Sequence, residues 1–207
     1  AARVEDLLKE EKRRMEEINR MRREKEEERR MQWNRIRNAF VELMRNRCAG
    51  MMTNETERQW DDRFNQLRRA FDPVREAFSD LESIPLRNPD FAPSVIEFEV
   101  HQESLRMSLN TLEEIMSTEH QQVESWKQQQ PDAHFLIDLG SSLDRILSCA
   151  TLVRREIKMV VDEIETNREN VERLELIFEL RYLEDKMKEL GDAVDSIPTV
   201  YDLNKKY

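Results

Sequence analysis

One seam constrains this chain more than any other feature. Leu136, Leu139, Leu143, Ile146, Ala150, Val153, Ile157, Val160, Ile164, Asn167, Val171, Leu174 and Phe178 follow each other at alternating steps of three and four. A 3.5-residue period held for about six heptads keeps one helical face turned toward a partner helix, which is the pattern of a coiled coil. The polar member is Asn167, and a lone Asn at a core position sets register and oligomeric state, so Asn167 is read as oligomer-specifying. Beyond Phe178 the phase changes, and Leu180, Leu183, Met187, Leu190, Val194 and Ile197 make a second seam. The steps of three from Leu174 through Ile177 and Leu180 to Leu183 read as a stammer, with a change of partner near Ile177. The spacing predicts one helix from Phe135 to about Ile197, roughly 90 Å long at about 1.5 Å per residue.

Three helices are expected before it. The first runs from about Val4 to Ala49 and carries a thin stripe of Val4, Leu8, Met15 and Ile18, with Glu11 at an intervening seam position. Arg22 to Arg30 are then charged throughout, with opposite-charge pairs four apart at Arg22–Glu26, Arg23–Glu27 and Glu26–Arg30. Such a run is read as a solvated spacer or as a recognition surface. The seam returns at Trp33, Ile36, Phe40, Leu43 and Met44, and Gly50 sits where a left-handed helix terminus belongs. The second helix, from about Asn54 to just before Pro85, has a heptad seam of Trp60, Phe64, Leu67, Phe71, Val74, Phe78 and Leu81. Asp72-Pro73 interrupts it, and because the seam keeps its phase a kink is expected. Pro85-Leu86-Arg87-Asn88-Pro89-Asp90-Phe91-Ala92-Pro93 is the best candidate for a chain reversal. The third helix, from about Ser94 to Gln129, bears Leu105, Leu109, Leu112, Met116, Val123 and Trp126. Asp132 is expected to cap the long fourth helix, and Gly140 to bend it.

The expected fold class is therefore all-α: an elongated antiparallel helical bundle or coiled coil of about four long helices. Residues 1–50 form a charged coiled-coil extension, 51–178 the bundle core, and 179–207 a C-terminal coiled-coil extension with an irregular tail. The N-terminal half of the first helix and the end of the last lack partners within one chain, so a homodimer is expected.

Composition narrows the function. Residues 1–50 hold 15 Lys/Arg against 11 Asp/Glu, and the remainder 19 against 33, so a mildly basic helix joins an acidic body. A nucleic-acid binder needs a concentrated basic face, and none is present. No run of 18 apolar residues occurs, so no membrane span is expected. Cys48 and Cys149 lack the spacing of a metal or disulfide pair, and read as two reduced thiols of a cytoplasmic protein. The start at Ala1-Ala2-Arg3 reads as a piece of a longer chain. Gly50, Gly140 and Gly191 are isolated, so no phosphate-cradling loop is written here. His101, His120 and His134 do not form Glu-x-x-His pairs, and no nucleophile is placed beside a base. No catalytic, metal or cofactor site is expected.

The expected function is non-enzymatic: a coiled-coil interaction and dimerisation module of a larger cytoskeletal, motor-adaptor or scaffold protein, binding protein partners. Candidate partner-binding residues are Arg22, Arg23, Arg29, Arg30, Arg35 and Arg37 in the first helix, and Leu183, Met187, Leu190 and Val194 in the second seam. Tandem spectrin-like repeats fit the length, but the unequal helices and unrepeated Trp positions do not fit them. Long helices with a proline-associated kink also resemble the general plan of BAR domains. That resemblance implies a crescent dimer on anionic membranes, for which the acidic body supplies little basic surface.

Overall fold

A computed structural model describes residues 2–50, 54–84, 91–166, 173–199 and 202. Among them side chains are described except at 2, 33–41, 48, 54, 56, 91–96, 166 and 173–179. The described residues form six helices and no strand: α1 (Ala2–Cys48), α2 (Asn54–Arg69), α3 (Asp72–Glu82), α4 (Phe91–Gln129), α5 (Phe135–Thr166) and α6 (Arg173–Asp195). The chain is all-α, and its helices pack as a bundle. No helix among the described residues is long and apolar enough to cross a membrane.

Side-chain pairs give the directions. Arg14 meets Glu97, Arg22 meets Ser104, Glu26 meets Ser108 and Arg30 meets Glu114, so α1 and α4 run parallel. Arg154 meets Asn110 and Glu113, and Asp144 meets His120, so α5 runs antiparallel to α4. Ser142 Oγ donates to the Ser196 carbonyl at 3.5 Å, and Cys149 lies in the field of Lys186 and Glu189. Those pairs place α6 antiparallel to α5.

This corrects the single long helix. The chain reverses between Thr166 and Arg173, and the two seams face the same bundle. Leu183, Met187, Leu190 and Val194, expected on a partner surface, are at most 5% exposed within the chain itself. The physical reason is that a slip in a heptad seam has two causes. A stammer keeps the helix and rotates its face, whereas a turn ends the helix and folds the second seam back. Asn167 lies outside the described residues.

The second helix is also two. Ala70 N donates to Leu67 O and Phe71 N to Arg68 O, each at 3.1 Å, which tightens and ends α2. Pro73 then falls in the first turn of α3, where its missing N–H costs nothing. Phe71 occupies the cap position with helical angles and no side-chain cap, so Asp72 does not cap the restart. The break is short enough that all seven seam residues from Trp60 to Leu81 remain buried. Gly50 has φ 69°, as its position predicts. Asp132 does not cap α5 either: its carbonyl accepts from His134 N, and the helix begins only at Phe135.

One apolar core runs from Leu43 and Met44 of α1 through α2–α5 to Ile197. Its aromatic end is built on Trp60, which stacks on Phe64 at 4.5 Å and meets the edge of Phe135 at 6.0 Å. Gly191 lets α6 approach the Phe71 ring, whose nearest atom lies 3.4 Å from where a Cβ would sit.

Candidate functional site

The seam that seats α1 starts from a pattern on α4. Leu105, Leu109, Leu112 and Met116 enter the core, and one residue ahead of each stands a second buried stripe, Ser104, Ser108, Thr111 and Ile115. One residue is about 100° of helix, so α4 presents an apolar face and, beside it, a small polar one. Short side chains there leave room for α1.

Arg22 is the centre of the contact. Its Nη1 donates to Ser104 Oγ at 3.2 Å and lies 3.1 Å from His101 Nδ1, while Nη2 pairs with Asp80 Oδ2. One guanidinium thus joins α1, α3 and α4. Because Arg can only donate, Nδ1 accepts and the His101 ring is neutral. Burial first, and the Arg22 charge second, hold His101 below its ordinary value, against the pull of Asp80.

One turn further on, Glu26 is 7% exposed. Its Oε1 accepts from Arg29 Nη1 at 2.7 Å and from Ser108 Oγ at 3.5 Å, and its Oε2 has no hydrogen-bond partner among the described residues. A cavity of about 60 Å³ opens here, lined among others by Lys25, Glu26, Arg29, Ala77 and Ser108. Arg30 Nε lies 3.1 Å from Glu114 Oε2, yet is buried without a directed hydrogen bond, so that contact is charge on charge. Near the start of α1, Arg14 pairs with Glu11 at 2.6 Å and with Glu97 at 3.8 Å. Burial, and then a hydrogen bond and like charge from Glu11, raise the Glu97 carboxyl above its ordinary value.

Of the arginines singled out from the sequence, Arg22, Arg29 and Arg30 stand on this seam and Arg23 is exposed. Arg35 and Arg37 lie on α1 with side chains outside those described. The expected pairing within α1 is partly replaced: Arg22 reaches Asp80 and Arg30 reaches Glu114 as well as Glu27. Sequence reasoning missed Asp80, His101, Ser104 and Ser108. The available signal was the 4-3 spacing of Ser104, Ser108 and Thr111, which copies the leucine period one residue earlier. Among the described residues no group of three His, Cys, Asp or Glu is placed to hold a metal ion. Cys149 is a free buried thiol, and burial raises its pKa. What this arrangement does chemically is hold a charged helix in one register.

No family model matches the chain, and neither curated proteins nor solved structures give a match.

Proposed function

We propose that the protein is a non-enzymatic helical interaction and dimerisation module, an elongated homodimer serving a larger cytoskeletal, motor-adaptor or scaffold protein in the cytoplasm. One observation carries this reading. α1 is 47 residues long and seated through ionic contacts, while Leu7 at 59% and Met21 at 52% stay exposed away from the face that buries Met15. A helix of that length, about 70 Å, with apolar residues still in water is suited to a further helix. Leu7 and Met21 are two heptads apart, which keeps them on one side of it. The methionines adapt to varied partners.

Sedimentation velocity combined with small-angle scattering tests the proposal. An elongated dimer is expected, and a compact monomer at every concentration would overturn it.

A further inference from the structure

We propose that α1 is exchanged between two copies of the chain, so that the α1 of one protomer occupies the α3–α4 seam of its partner. This rests on the dimerisation reading and adds the inner, charged seam of α1 to the interface.

The first support is what the seam lacks. Among the described side chains from Arg3 to Gln32, Met15 is the buried apolar one. Register comes instead from Arg14–Glu97, Arg22–Asp80 and Arg30–Glu114. Ion pairs that are partly wet exchange protein partners for water at small net cost, so this seam opens more readily than the leucine-filled contact of α4 with α5.

The second support is strain in hydrogen bonding. Asn19 Oδ1, Glu26 Oε2 and Arg30 Nε, all on this stretch of α1, are buried without a hydrogen bond among the described residues. Water satisfies each of them when α1 leaves, which lowers the barrier to opening.

The third support is the connection. α1 ends at Cys48, Gly50 takes φ 69°, and a Cβ added at Gly50 would meet nothing within 4 Å. Gly50 supplies a turn with open space around it, so α1 can depart as one unit, with Leu43 and Met44 re-entering the same pocket on the partner.

A second copy is the occupant because its α1 already matches every seam residue, and a swapped pair forms by contacts that exist. The basic excess of residues 1–50 and the acidic excess of the rest steer α1 of one copy toward the body of another.

Two full-length variants test this. Arg22→Asp with Arg30→Glu reverses α1, and Asp80→Arg with Glu114→Arg reverses the seam. Each alone is expected to lose dimer, whereas an equal mixture refolded together is expected to yield the mixed dimer as its main species. In a second measurement Arg30→Cys and Glu114→Cys, with Cys48→Ser and Cys149→Ala, are linked by a short bis-maleimide. Products joined between chains are expected to dominate in the dimer fraction. A dimer linked only within each chain, or a mixture that behaves as the sum of its parts, overturns exchange alone. A protein that never dimerises overturns the dimerisation reading as well.

Discussion

Arg22 and His101 show how much one contact can set. Arg22 has a side chain 24% exposed, and it supplies hydrogen bonds to three groups on two other helices. Arg22→Ala leaves Asp80 and Ser104 without it, and a loss of about 1–3 kcal/mol is expected in urea unfolding. The pH dependence follows from proton counting. His101 is held below 6.5, so between that value and its lowered pKa the docked state binds fewer protons than the undocked one. Docking is thus at full strength above 6.5 and weakens as pH falls through that window. Glu97, raised above 4.5, acts with the opposite sign in a lower range: docking gains as pH falls toward 4.5. Ring-proton NMR should show His101 titrating below 6.5, and shifting upward in Arg22→Gln. A titration at or above 6.5 in the unaltered protein contradicts this contact. Little at this scale was legible in the sequence. Asp80, His101 and Ser104 are separated from Arg22 by 58 to 82 positions, and polar residues give no periodic signal strong enough to pair them.

At the scale of elements the sequence was more informative, because apolar period reports helix faces directly. Heptads placed α1, α4 and the start of α5 to within a few residues. They failed where a seam can be continued or folded back with the same residues. Leu183 decides between the two: at 0% exposed within the chain, it belongs to the α5–α6 hairpin. Leu183→Ala is expected to cost about 2–5 kcal/mol of unfolding stability, independent of protein concentration. A change confined to dimer affinity would show that α6 faces a partner. Gly140 tests the continuity of α5. It lies inside the helix, where a Cβ would find its nearest neighbours at 3.5 Å, ordinary contact distance. Gly140→Ala is expected to raise stability by about 0.5–1 kcal/mol, read as a higher melting temperature.

The whole molecule divides by the kind of force that holds it. From α2 to α6 an apolar core removes leucine, phenylalanine and tryptophan side chains from water, each worth about 1.5–3 kcal/mol when fully buried. Residues 3–32 of α1 are held mainly by charge, and charge is screened within about 3 Å at 1 M salt, whereas apolar burial is not weakened in the same way. Net charge and its division along the chain were plain in the sequence, but the seam on which they act exists only once α3 and α4 are folded side by side. Local hydrogen exchange reads both parts in one experiment. On raising salt to about 1 M, amides of residues 3–32 are predicted to exchange faster while those of α4 and α5 keep their protection. Protection of α1 that equals the core's and ignores salt would contradict the account at its centre.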